Sequence, residues 1–87
     1  MSNRILLVED DAALGRQVLD SLSQAGFEPH WVQDGDDARA LRPDDYRLIV
    51  LDLMLPGTYG MDLLKRYRAK SEVPVLILSA RDDTADK

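Results

Sequence analysis

The stretch LIVLDLMLPG, residues 48–57, decides the fold, because four large apolar residues lead directly to one aspartate and then to a Pro-Gly turn. An apolar run without polar alternation is typical of a strand buried on both faces, as in a parallel sheet. A carboxylate at the end of such a strand is costly to bury unless a cation or a chemical role compensates. Asp52 is therefore the first candidate functional residue.

Apolar runs and helical periods alternate along the rest of the chain. Pro29 cannot donate a hydrogen bond between strands, which places its own strand at a sheet edge. Alternation of strands and helices predicts an α/β fold, in which helices cover both faces of a parallel sheet. The predicted elements are β1 Ile5–Val8, α1 from a cap at Asp10 or Asp11 to a stop at Gly26, β2 Phe27–Val32, α2 Asp34–Leu41, β3 Leu48–Asp52, α3 Met61–Lys70 and β4 Val75–Leu78.

Two of the helices show an apolar face. The spacing in α1 predicts a face made of Leu14, Val18, Leu22 and Ala25, and the spacing in α3 predicts core positions at Met61, Leu64 and Tyr67. We expect Trp31 to pack partly at the surface.

Composition narrows the function classes. The 87 residues make one small domain at most, and the absence of cysteine excludes disulfides and thiolate metal sites, which favours a reducing cytoplasm. A net charge of −5 argues against nucleic-acid binding by this segment. No apolar run approaches the ~18–20 residues that a membrane span needs, so we expect no membrane association.

Polar side chains follow three of the predicted strands. Glu9 and Asp10 follow β1, Asp52 ends β3, and Ser79 follows β4. The carboxyl ends of parallel strands meet at one edge of the sheet, where ligands bind. Carboxylates at such short distances repel each other, and a hard divalent cation such as Mg²⁺ relieves the repulsion. A main-chain carbonyl near Met54 is available as a further ligand of that cation.

These residues suit few reactions. The turn after β1 has no glycine-rich phosphate loop, and His30 is the only histidine, so dinucleotide binding and histidine-based catalysis are excluded. A carboxylate nucleophile beside a metal that accepts phosphoryl oxygens remains, which is aspartyl-phosphate chemistry.

Three motifs in order carry a family resemblance: ILLVEDD at 5–11, LIVLDLMLPGTYG at 48–60 and PVLILSARDD at 74–83. The chain resembles the receiver domain of two-component response regulators, in the style of the OmpR-like winged-helix transcription factors. The resemblance implies a flavodoxin-like sheet of order 2-1-3-4-5, a sensor histidine kinase as partner, and an output domain that regulates transcription.

The resemblance also implies residue roles. Asp52 would accept the phosphoryl group, and Ser79 would be the switch hydroxyl. Asp10 and Asp52 would bind Mg²⁺ or Mn²⁺ directly, Glu9 through water, and Met54 through its main-chain carbonyl. Such a module takes the phosphoryl group onto its own aspartate and is not a turnover enzyme.

The family also has a fifth strand, which ends in a lysine, and a fifth helix, and this sequence offers neither. We assign no residue to the switch lysine and interpret residues 1–87 as a single N-terminal portion of a receiver domain, an incomplete flavodoxin-like fold. The alternative function is a truncated, non-signalling fragment that forms homo-oligomers through an exposed β4 edge and an uncovered sheet face. A haloacid-dehalogenase-like phosphatase also uses a strand-end aspartate, but it needs a second aspartate at position 54, where this chain has methionine.

Overall fold

The computed structural model describes residues 3–52 and 60–78. Strands and helices alternate in the predicted order, with small differences at their ends. The elements are β1 Arg4–Val8, α1 Ala12–Gln24, β2 Glu28–Val32, α2 Gly35–Arg39, β3 Leu48–Asp52, α3 Gly60–Lys70 and β4 Val75–Leu78, and a short 3-10 turn, Pro43–Asp45, precedes β3.

The sheet has the strand order β2-β1-β3-β4, and every neighbouring pair is parallel. The predicted edge position of β2 is confirmed, as is the contact between β1 and β3. Val8 lies beside Leu51, so Glu9 and Asp52 come next on neighbouring strands at the same level. This register decides where the acids of the two strands meet.

Each face of the sheet carries its own apolar core. Side chains alternate along a strand, so odd and even positions of β1 point to opposite faces. One core contains Leu6, Val8, Ala38, Tyr46, Ile49, Leu51, Leu63 and Tyr67. The other contains Ile5, Leu7 and Val50, with Val18, Leu19, Leu22, Phe27 and Trp31 packed against it. Helices α2 and α3 therefore cover one face, and α1 covers the other.

Helix α1 has a specific capping arrangement at each end. The carboxylate of Asp11 accepts hydrogen bonds from the main-chain N–H groups of Ala13 (2.9 Å) and Leu14 (3.1 Å), which caps the first turn. Gly26 follows the helix with φ of 95°, a conformation that favours glycine. Of the two predicted caps the structure uses Asp11, and the side chain of Asp10 is left for another role.

The predicted apolar faces of the helices need two corrections. Met61 is 49% exposed, and the buried positions of α3 are Leu63 and Tyr67, which are four residues apart and so share a face. In α1, Ala25 is exposed at the end of the helix, and Leu19 packs against the core instead. The other predicted positions are confirmed where they can be checked, since Val18 and Leu22 of α1 and Leu64 of α3 pack against the cores and Tyr67 is buried.

None of the helices within residues 3–52 and 60–78 is long and apolar enough to span a membrane.

Candidate functional site

Three carboxylates meet at the carboxyl edge of the sheet. Glu9, Asp10 and Asp52 each offer one carboxylate oxygen, and these oxygens all lie within 4.8 Å of one another. Glu9 is fully buried and Asp52 is 3% exposed, whereas Asp10 is exposed to solvent. The site is therefore an acidic pocket with two buried members and one at the surface.

Strand geometry explains this convergence. Asp52 is the last residue of β3 and Glu9 the first residue beyond β1, and the register sets them side by side. Glu9 remains tied to the sheet because its main-chain N–H donates to the carbonyl of Val32 at 3.1 Å. The next side chain, that of Asp10, also reaches this pocket, although it is exposed to solvent.

The protonation of Glu9 reflects the crowding of the acids. Burial raises the pKa of Glu9 from 4.5 to about 7, the hydrogen bond from the Asp11 N–H lowers it, and Asp52 and Asp10 raise it again. The Oε2 atom of Glu9 accepts that N–H at 3.0 Å. Its Oε1 atom is buried and has no hydrogen-bond partner among the described residues. A buried oxygen in that state is destabilising unless another group approaches it.

The donor set fits a hard divalent cation. All three groups are carboxylates, which Mg²⁺ and Ca²⁺ prefer to nitrogen or sulfur ligands. A cation would offset the repulsion among the three acids and bring positive charge to the unpartnered Oε1 atom of Glu9. The geometry of the described residues thus supports a metal-binding role for this pocket.

Two further predicted site residues, Met54 and Ser79, lie outside the described residues. The main-chain carbonyl proposed for Met54 and the switch hydroxyl proposed for Ser79 therefore stay predictions.

Sequence reasoning missed one residue at the pocket. The indole N–H of Trp31 donates to the main-chain oxygen of Glu9 at 2.9 Å, so Trp31 has a polar contact beyond surface packing. The signal that could have revealed it is Gly15, a glycine in the interior of α1, because such a glycine often marks a close approach by another group. Trp31 is the group that approaches it.

A parallel sheet with an acidic pocket at its carboxyl edge places the chain among the α/β domains that bind ligands at that edge, and comparison with known proteins narrows this class to one family. Residues 5–87 match the family model described as the response regulator receiver domain. The chain belongs to that family.

Relatives and solved structures agree with this assignment. The chain is 42% identical over 87 residues to an uncharacterized transcriptional regulatory protein, YrkP, of Bacillus subtilis. It is 44% identical over 90 residues to the DNA-binding response regulator MtrA of Mycobacterium tuberculosis. Each match includes at least 99% of this chain but only 38% of the relative's length.

Among solved structures, the non-phosphorylated HemR receiver domain of Leptospira biflexa matches with a TM-score of 0.84 and 37% identity over 93% of this chain and 67% of that one. The BeF3-activated receiver domain of RstA from Klebsiella pneumoniae matches with a TM-score of 0.79 and 27% identity, over 91% of this chain and 72% of that one. The expected flavodoxin-like arrangement of the sheet is thereby confirmed for the four strands described.

Proposed function

We propose that this chain is the phosphoacceptor module of a two-component phosphorelay, in which a sensor histidine kinase transfers a phosphoryl group to Asp52. The observation that carries the proposal is the position of Asp52 at the carboxyl end of β3, with carboxylate oxygens of Glu9 and Asp10 within 4.8 Å. Membership of the receiver family supports the same role.

The transfer is a substitution at phosphorus. A carboxylate oxygen of Asp52 forms the new P–O bond while the P–N bond of phosphohistidine breaks, and the departing imidazole nitrogen takes up a proton. A bound divalent cation would neutralise charge on the phosphoryl oxygens. Asp52 accepts the group once in each cycle, so the module itself is modified and is not a turnover enzyme.

Burial of the pocket by residues of this chain restricts water around the nucleophile. Asp52 is only 3% exposed, so its reactive oxygen is reached from the open side where Asp10 lies. Exclusion of water strengthens electrostatic interactions inside such a site. The geometry favours an incoming phosphodonor that carries its own positive charge or arrives with a cation, since three acids repel a bare phosphate.

Metal binding is the second part of the proposal. Asp10 and Asp52 would bind Mg²⁺ or Mn²⁺ directly and Glu9 through a water molecule, with the main-chain carbonyl of Met54 as a further ligand. The role of Met54 and that of Ser79 as the switch hydroxyl rest on the family resemblance alone.

The output of the module would lie elsewhere in the full protein. The chain spans 38% of the length of YrkP and of MtrA, and these relatives are named as transcriptional or DNA-binding regulators. We infer a cytoplasmic protein in which residues 1–87 form the N-terminal portion of the receiver and do not themselves bind DNA. Phosphorylation would then control transcription through a partner domain.

Labelling by a small phosphodonor tests the assignment of Asp52. Incubation with acetyl phosphate and Mg²⁺ should add one phosphoryl group, detected as a mass increase of the intact protein, and Asp52→Asn should abolish the addition. Asp20→Asn, which removes an exposed acid on α1, is the matched control and should be labelled normally. Equal labelling of the Asp52→Asn and wild-type proteins would refute the assignment.

A second candidate function is self-association of the 87-residue chain. Leu76 of β4 is 54% exposed, and β4 pairs with β3 alone within the described part of the sheet. An apolar strand with one open edge can pair with another copy. This function does not exclude the first, because the acidic pocket described above is built from β1 and β3.

A further inference from the structure

Trp31 connects the edge strand β2 to the acidic pocket. Its indole N–H donates to the main-chain oxygen of Glu9 at 2.9 Å, and Trp31 itself lies beside Leu7 in the sheet. The oxygen that accepts this bond belongs to the peptide unit between Glu9 and Asp10. Any rotation of that peptide unit would move the carboxylates of both residues relative to Asp52.

Helix α1 is shaped to hold the indole ring in this position. Gly15 is buried, and a Cβ atom built on it would lie 2.1 Å from Cζ2 and 2.4 Å from Cε2 of Trp31. These distances are far below a van der Waals contact, so only glycine admits the ring at this point of the helix. Glycine in a helix interior lowers helix stability, and the contact with Trp31 gives that glycine a physical reason.

The turn that carries the two acids is held by three separate hydrogen bonds. The main-chain N–H of Glu9 donates to Val32, and the Glu9 carboxylate accepts the N–H of Asp11. Trp31 supplies the third bond, at the main-chain oxygen. The side chain of Asp10 is exposed to solvent, so the direction of its carboxylate depends mainly on the main chain of this turn.

We propose that Trp31 is a positioning residue for the cation site: its indole N–H fixes the Glu9–Asp10 peptide unit and so sets the direction of both carboxylates. The proposal rests on the metal binding inferred above. Groups that orient metal ligands from the second layer typically change metal affinity about 10–100-fold when they are removed. We expect the lower end of that range, since Trp31 acts through the main chain.

The experiment measures the Kd of Mg²⁺ by titration calorimetry for the wild-type protein and two variants. Trp31→Phe keeps an aromatic ring and removes the N–H donor, whereas Gly15→Ala keeps the donor and pushes the ring away. Both variants should bind Mg²⁺ about ten-fold more weakly than the wild type. One variant removes the hydrogen-bond donor and the other displaces the ring, so a similar loss of Mg²⁺ affinity in both would assign the effect to the hydrogen bond and not to the size of the ring.

His30→Phe is the matched control on the same strand. His30 faces the opposite side of the sheet, where its Nδ1 atom lies 2.7 Å from the hydroxyl of Tyr46, so this variant also loses one polar contact of β2. It should bind Mg²⁺ with wild-type affinity. A loss of affinity in His30→Phe equal to that in Trp31→Phe would mean general loosening of β2 and would overturn the positioning role.

The remaining outcomes distinguish the two proposals. Absence of Mg²⁺ binding by the wild-type protein would refute the metal site itself, whereas normal binding by folded Trp31→Phe would refute only the role of Trp31. If Gly15→Ala fails to fold, the indole N–H resonance of the wild type takes its place. That resonance should exchange slowly with solvent and shift on addition of Mg²⁺, and rapid exchange in the folded protein would overturn the proposal.

Discussion

At the scale of single residues, the pocket combines charge with burial. Glu9 is fully buried beside Asp52, and its Oε1 atom has no hydrogen-bond partner within residues 3–52 and 60–78. Without a cation at this site, the free-energy cost of burying these charges is lowered when one of the acids keeps a proton. The pKa of about 7 for Glu9 expresses that cost, and binding of a divalent cation would displace the proton.

The first prediction at this scale concerns the pH dependence of stability. Burial raises the pKa of Glu9 from 4.5 to about 7, so between these values the folded state binds more protons than the unfolded state. The free energy of unfolding, measured by urea denaturation in the presence of a chelator, should therefore fall as pH rises from about 4.5 to 7. The contribution is fully present below pH 4.5 and lost above pH 7.

Glu9→Gln should remove this part of the pH dependence, because the amide does not ionise. With chelator at pH 8 the variant should be more stable than the wild type, and in excess Mg²⁺ the order should reverse. Glu28→Gln, at an exposed position of β2, removes the same charge and should reproduce neither effect. Identical pH profiles for Glu9→Gln and the wild type would contradict the prediction.

At the scale of elements, sequence patterns determined the strands better than the helices. The uninterrupted apolar runs of β1 and β3 were compatible only with buried parallel strands. The acids at the ends of these strands could be placed together because parallel strands share a carboxyl edge. The α3 pattern offered two stripes, and the structure buries Leu63 where the sequence had suggested Met61. Which stripe is buried depends on how α3 is rotated against the sheet, and that is a property of the whole fold.

The contact between Trp31 and Gly15 shows the same limit. The two residues are on different elements, and nothing in the local sequence says that the indole on β2 reaches Gly15 of α1. A glycine inside a helical period announces a close approach but not the identity of the neighbour. The neighbour follows only from the sheet order β2-β1-β3-β4.

The prediction at this scale tests how α3 is attached to α2. Tyr67 is 1% exposed, and its hydroxyl donates to the main-chain oxygen of Ala38 at 2.5 Å. Tyr67→Phe removes this bond between the helices and should lower the free energy of unfolding by about 1 kcal/mol, since the Ala38 oxygen still accepts the N–H of Leu41. Urea denaturation at pH 7 measures the difference, and a variant as stable as the wild type would show that the bond contributes nothing.

At the scale of the whole molecule, the apolar cores on the two faces of the sheet differ in size. The core under α2 and α3 includes two buried tyrosines, Tyr46 and Tyr67, whereas the core under α1 has three fully packed strand residues and a border of half-buried ones. Of the four described strands, the central ones, β1 and β3, are buried along nearly their full length. The stability of the pocket depends on this central pair, which carries its two buried acids.

The outer strand β4 gives rise to the last prediction. Leu76 is 54% exposed on a strand whose described partner is β3 alone, so the 87-residue chain should form dimers or larger oligomers at tens of micromolar, as measured by sedimentation velocity. Leu76→Lys should shift the population towards monomer, because a lysine on an edge strand opposes strand pairing. Met61→Lys changes another large exposed apolar side chain, which lies on α3, and should leave the association unchanged. A compact monomer of the unmodified chain at this concentration would exclude self-association through β4, and equal effects of both lysine variants would place the contact elsewhere.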